Sequence, residues 1–315
     1  MRTQTSFLLI GAAACCLVLH TPPAIAQTSE QWTDTPIIVS AQLSGPPLWR
    51  LKRGASEVII IGVLPVFPKT LNWKTRRVEN ALRGAQTLIT PPVSKAGLGD
   101  AISFMHMKSL PGNQELKAVV PADLYARYVA TAARAGVSIK PFAHDKPVWA
   151  GARLRKDVLS RYGLSDDEPV QTIVRLAHRQ NVDVRVAARY RLSPVLKDVN
   201  AMSDEAGRYC LQRTLDDIDF DLDRAPKTAA AWTAGDMRTI LANYHGSALT
   251  DCLEGSGKGT AMMERSVDDT VDAITEGLSR PGKTVALFPL GPLLRKGGAL
   301  DRLKGQGITI SSPDY

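Results

Sequence analysis

The chain has 315 residues, of which 44% are hydrophobic and 22% charged, an ordinary globular composition long enough for one large domain or two modest ones. This excludes a disordered tail, a fibre and a disulfide-dense miniature scaffold. Its 39 Lys and Arg against 31 Asp and Glu leave a net charge of +8, spread along the chain. The densest basic run, Lys74-Thr75-Arg76-Arg77, is interleaved with no aromatic beyond Trp73, so no nucleic-acid partner is expected. The positive balance remains compatible with anionic surfaces such as lipopolysaccharide.

Met1-Arg2, an apolar run over 7–19 and the small-x-small triplet Ala24-Ile25-Ala26 predict a signal peptide over 1–26, cleaved after Ala26, and a periplasmic or secreted location. The apolar run is shorter than the roughly 20 residues a spanning helix needs, and no later segment is long and uncharged enough, so no transmembrane segment is expected after cleavage. Lipidation at Cys15 or Cys16 is disfavoured, because Ala12 stands upstream and apolar Leu17-Val18-Leu19 continues beyond them. The mature chain then keeps Cys210 and Cys252, an even number in an oxidising compartment. Their pairing would close 42 residues, worth about 4 kcal/mol in the chain-entropy account. Two buried free thiols are the alternative.

Residues 27–47 are polar, end in Pro46-Pro47 and read as a flexible N-terminal arm, leaving 48–315 as a single domain. Leu48-Trp49-Arg50-Leu51-Lys52-Arg53 alternates as a half-buried strand does, Gly54-Ala55-Ser56 turns, and the β-branched run 58–64 suits a buried central strand. Val78, Leu82 and Ala85 then repeat at helical spacing, and 87–90 reads as a short strand cut by Pro91-Pro92. The middle is helical over 122–134, 146–162 and 169–180, followed by a strand-like 182–190. Helical patterning resumes over 203–253, and Met263, Val267, Val271, Ile274 and Leu278 make one apolar stripe on a helix that Pro281-Gly282 ends. A last buried strand over 284–290, a short helix over 299–304 and an edge strand over 307–310 close the chain. The fold class is α/β, a mixed central β-sheet built from N- and C-terminal strands with a helical middle segment.

Two motif candidates fail on chemistry. Gly255-Ser256-Gly257-Lys258-Gly259-Thr260 has Cys252 where a phosphate loop needs its first Gly and Gly259 where it needs Ser or Thr, so it reads as a flexible linker. Asp217, Asp219, Asp221 and Asp223 alternate as in a calcium loop, but Leu222 replaces the turn Gly and Thr228 the bidentate Glu. A solvated acidic helix end or loop is the better reading. His106, His144, His178 and His245 lie beyond helical reach of one another, so a shared metal would need the fold to gather them.

The order of segments is informative. Leu48-Trp49-Arg50-Leu51, a turn, Val58-Ile59-Ile60-Ile61-Gly62-Val63-Leu64-Pro65, then Val78-Glu79-Asn80-Ala81-Leu82 and Leu88-Ile89 resembles the opening of the TraB/GumN family, relatives of the Tiki metalloproteases. Lys146-Pro147-Val148-Trp149, Ala230-Ala231-Trp232-Thr233-Ala234-Gly235-Asp236, Glu264-Arg265-Ser266 and Gly298-Ala299-Leu300-Asp301-Arg302-Leu303 carry the resemblance on to about Ile310. It implies the Tiki-like α/β architecture. It also implies a metal site made of two Gly-x-x-His motifs, a Glu ending a strand and an Arg-Asn on a late helix. Here the first motif reads Gly62-Val63-Leu64-Pro65, the Glu position falls on Thr90 or Pro91, the Arg-Asn reads Arg265-Ser266, and the second motif reads Pro289-Leu290-Gly291-Pro292.

Proline's tertiary amide nitrogen offers a metal no usable lone pair, and its ring fixes φ; an ion held there would depend on backbone carbonyls and water. Pro65 and Pro292 therefore read as rigid strand exits, with Gly62, Pro65, Pro91, Arg265 and Pro292 as a degenerate family site that has no catalytic residue, metal or cofactor. Arg265 is expected to pair with a helix carboxylate, the alternative being an anion contact. The expected function is that of a noncatalytic envelope protein whose ligand is open, an envelope polysaccharide or protein being compatible. The alternative is a Tiki-like metal-dependent hydrolase or peptidase with a relocated site.

Overall fold

The computed structural model describes residues 45–95, 97, 104–191, 193–244, 252 and 257–311. The leader and most of the arm (27–44), His245 and Gly255-Ser256 lie outside these described residues.

The first strands form the expected hairpin: β1 (Leu48–Arg53) and β2 (Ser56–Val63) pair antiparallel, turning at Gly54, whose φ of +56° suits a residue without Cβ. The chain continues through the short β3 (Phe67–Pro68) and helix α1 (Arg76–Leu82) to β4 (Thr87–Thr90) and β5 (Val93–Lys95). Helices α2 (Ala122–Arg134) and α3 (Pro147–Arg161), strand β6 (Leu164–Ser165) and helix α4 (Val170–Arg179) follow. Next come β7 (Asp183–Val186), β8 (Arg189–Arg191), α5 (Ser193–Asn200), α6 (Asp204–Ala234) and α7 (Met237–Ala242). The chain closes with α8 (Gly257–Ser279), β9 (Gly282–Pro289), α9 (Leu290–Leu294), α10 (Ala299–Gly305) and β10 (Ile310–Ser311).

The six-stranded sheet has the order β10-β1-β2-β9-β4-β7. The late strand β9 lies parallel between β2 and β4, with Gly62 opposite Phe288 and Leu88 opposite Val285. Because β2 and β9 have neighbours on both sides and layers above and below, their residues are apolar on both faces. Ile59, Ile61, Leu88, Val285 and Leu287 pack under α1 and α4. Ile60, Ile89, Ala286 and Phe288 pack under α8 and the end of α6. The fold class is the expected mixed α/β sheet with a helical middle.

Four local expectations change. The acidic run sits in mid-helix on α6, where Arg127 pairs with Asp216 at 2.7 Å and Asp219 at 2.8 Å, Arg134 also meets Asp219, and Arg155 pairs with Asp221 at 2.7 Å. These arginines come from α2 and α3, so tertiary pairing turns what reads as a solvated helix end or loop into an interhelical seam. Gly257 to Thr260 form the first turn of α8 and not a linker, the Asp198 carboxylate accepting from the Lys258 N–H at 3.2 Å. The stretch 182–190 is two strands separated at Ala187-Ala188. Likewise the helical stretch after Ser203 is divided at Gly235, whose φ of +76° caps α6.

Cys210 on α6 and Cys252 lie at disulfide distance, with their Cα atoms 5.6 Å apart. Among the described residues no helix is long and apolar enough to cross a membrane.

Candidate functional site: a cleft at the ends of the parallel strands

In open parallel sheets ligands settle where the strands deliver their carboxyl ends. Here β4 ends at Thr90 and β9 at Pro289, both facing α8 across a cleft of about 240 Å³. Pro91 and Pro92 form one wall, while Phe288, Pro289 and Pro292 form another. Helix α8 contributes Met262, Met263, Ser266, Val267 and Thr270, and the ribbon of β5 and β8 closes the cleft with Ser94 and Tyr190.

The Tyr190 hydroxyl donates to Asp269 Oδ2 at 2.7 Å, and burial, reinforced by that carboxylate, pushes its pKa well up. Tyr190 is therefore a fixed neutral donor at neutral pH. Arg265 reaches the same carboxylate at 3.5 Å, with its guanidinium 5.8 Å from the Tyr190 ring centre. Arg295 lines the cleft, but Glu264 on α8 holds it at 2.5 Å and also takes Arg302. Burial opposes the charge on Glu264, yet the two arginines keep its carboxyl below the usual range. Although cationic side chains approach the cleft, their charge is largely compensated.

The cleft gathers Pro91, Ser266 and Pro292 but not Pro65. Pro65 is exposed and lines a separate small hollow with Thr228, Asn243 and Tyr244. Tyr244 also packs its hydroxyl so closely on Gly291 that a Cβ there would collide with it. Gly62 has a packing role: a Cβ would run into Leu290 and the Trp49 ring, and its carbonyl accepts from Trp232 Nε1 at 2.7 Å. Thr90 is buried and donates to the Arg185 carbonyl at 3.3 Å. Arg265 is exposed and makes the helix pair expected of it.

The TraB/PrgY/gumN family matches residues 47–312. The chain belongs to the TraB/PrgY/gumN family. No curated protein and no solved structure matches it.

The metal that the resemblance implies can be tested against the donors present. For this TraB/PrgY/gumN chain the cleft offers prolyl rings, two thioethers, hydroxyls and a compensated guanidinium, with neither an imidazole nor a carboxylate among its lining side chains. That set does not fit the borderline divalent ions of metallohydrolases, which take nitrogen and carboxylate ligands. Among the described residues no group of three or more His, Cys, Asp or Glu is placed to hold a metal ion. His144 lies at the surface, its Nδ1 3.0 Å from the Gln114 carbonyl oxygen. Sequence reasoning missed Tyr190, Asp269, Arg295 and Met262, and read Met263 as plain core. The 3.6-residue period placed Met263 and Val267 on one stripe of α8, but nothing local tied Tyr190 to that helix.

Proposed function

We propose that this chain is an exported, noncatalytic member of its family that holds a ligand in the cleft between β4, β9 and α8. One observation carries this reading: Pro91, Ser266 and Pro292 meet in one cleft at the strand ends, and none of the three is a metal ligand of the kind the resemblance implies. Proline at two of those places keeps the strand exits rigid through its fixed φ while supplying no donor. The cleft thus keeps the position of a site with a different lining, apolar except for Ser94, Ser266, Thr270, Tyr190 and Arg295. Export is supported by the leader-like first 26 residues and by the Cys210–Cys252 pair.

Elemental mass spectrometry on the chain expressed with its own leader and purified without chelator or metal-affinity tag tests the noncatalytic reading. The expected result is less than about a tenth of an equivalent of any transition metal, because the cleft lacks the ligand types such ions require. Near one equivalent would sink the reading in favour of a relocated hydrolase site, whose ligands would be sought by replacing His106, His144, His178 and His245 one at a time.

A further inference from the structure

Beyond Thr90 and Val186 the last two parallel strands of the sheet continue, after Pro91-Pro92 and Ala187-Ala188, as the two-stranded ribbon of β5 and β8. Val93 stands opposite Arg189, Ser94 opposite Tyr190, and Lys95 opposite Arg191. Since successive strand residues point to opposite faces, the contacts of Tyr190 decide the rest: its hydroxyl is held by Asp269 of α8, so Arg189 and Arg191 face the other way. Lys95 and Val93 share that outer face, and all four residues are exposed.

Three cations therefore stand side by side on one short ribbon. Among the described residues none of them has an ion-pair partner, whereas Arg185, a few residues earlier on β7, keeps Asp183 at 2.7 Å. Placing like charges directly across a strand pair is unfavourable, and fold stability alone would be better served by one carboxylate among them. Val93, one of the few large apolar side chains that stay exposed, at 39%, lies within the same face. None of these four side chains lines the cleft or the hollow beside Pro65. An apolar tip ringed by uncompensated cations suits an extended layer of anions with an apolar interior.

We propose that Lys95, Arg189 and Arg191, with Val93 between them, form a docking face for an anionic phospholipid surface. The cations meet the headgroup phosphates and Val93 reaches the acyl boundary. Such a face would hold the mouth of the cleft close to the bilayer, since Ser94 and Tyr190 line the cleft from the other side of the same ribbon.

The test is co-sedimentation of the chain with phosphatidylcholine vesicles with and without phosphatidylglycerol, at low and high salt. Native protein is expected to partition onto the phosphatidylglycerol vesicles and to be released by high salt. Each of Lys95→Gln, Arg189→Gln and Arg191→Gln should weaken partitioning about fivefold, and the triple variant about 100-fold. Native and variant proteins share one N-terminus, so the leader contributes equally to all. The thermal midpoint of the triple variant should not fall below the native value, because among the described residues the three side chains have no ion-pair partners to lose and their mutual repulsion is relieved.

A control carrying Lys52→Gln, Arg53→Gln and Lys140→Gln removes the same charge from exposed positions elsewhere and should keep native partitioning. Equal loss in that control would overturn the proposal by showing that net charge alone attracts the protein, and so would native-like partitioning of the ribbon triple variant. Saturable binding of inorganic phosphate without vesicle binding would overturn it in favour of a free-anion site.

Discussion

At Gly62 the chain passes so close to Leu290 and Trp49 that a hydrogen is the largest substituent the backbone accepts. Its φ is ordinary, so the constraint is one of space and not of backbone freedom. The neighbours that would have to move are themselves core: Leu290 is fully buried and Trp49 nearly so. Gly62→Ala should therefore destabilise the protein by about 1–3 kcal/mol through overpacking, seen as a lower urea midpoint with an unchanged m-value. An unchanged midpoint would mean that Leu290 can swing away freely. The sequence marked Gly62 as part of a family motif, and the structure gives it a packing reason that holds whether or not the motif does chemistry. Arg265 is the converse case, legible as a helix residue paired four positions on, and found with Asp269 at 3.5 Å in an exposed setting worth little to stability.

Helix α6 is the element on which local reading and tertiary structure diverge most. Its 31 residues run from a Ser203 cap, whose side chain accepts from the Ala206 N–H, to Gly235. Its first half buries Leu211, Leu215 and Ile218 among the middle helices, and its second half brings Ala229 and Trp232 against the sheet. Phe67 and Trp73 meet Trp232 edge-on at 5.2 and 5.0 Å between ring centres. The aspartates between those halves are legible as charged but not as paired, since their partners Arg127 and Arg155 stand 92 and 66 positions away from Asp219 and Asp221. Cys210 of this helix lies at disulfide distance from Cys252, 42 positions on. Reduction, or Cys210→Ala with Cys252→Ala, should cost about 2–4 kcal/mol by freeing the unfolded chain. Urea titrations with and without reductant measure this, and coincident curves would count against a formed bridge.

On the scale of the whole molecule, carboxylates link elements that are distant in the chain. Glu264 joins α8 to Arg295 after α9 and to Arg302 on α10, and Asp219 joins α6 to two arginines of α2. Burial works against both charges, but the arginines prevail and hold both carboxyls below their ordinary values of 4.5 and 3.8. A carboxyl depressed in the folded state adds stability that is complete above its unfolded value and is lost as pH falls through the folded one. Stability should therefore hold near neutrality and fall once the pH drops below about 4.5, with Glu264→Gln flattening the upper part of that decline. Urea midpoints taken at successive pH values check this, and a Glu264→Gln profile parallel to the native one would rule out a stabilising link. The link also fixes Arg295 at the cleft, so one carboxylate serves both the stability of the last helices and the electrostatics of the candidate site.

Local pattern was sufficient for what is local. The β-branched run of β2, the apolar stripe of α8, the strand exits at Pro91 and Pro292 and the order of family segments follow from side-chain size, period and φ restriction. They determine an α/β fold of the TraB/PrgY/gumN family. The tertiary structure alone decided which of those places meet. Inserting β9 between β2 and β4 carries Pro292 to Pro91 and Ser266, while Tyr244 leaves Pro65 in a hollow of its own. It also decided that Tyr190 turns to Asp269 and sends its two arginine neighbours outward. Periodicity reports which face of an element is buried, but convergence depends on pairings between residues far apart in the chain, which no local window contains.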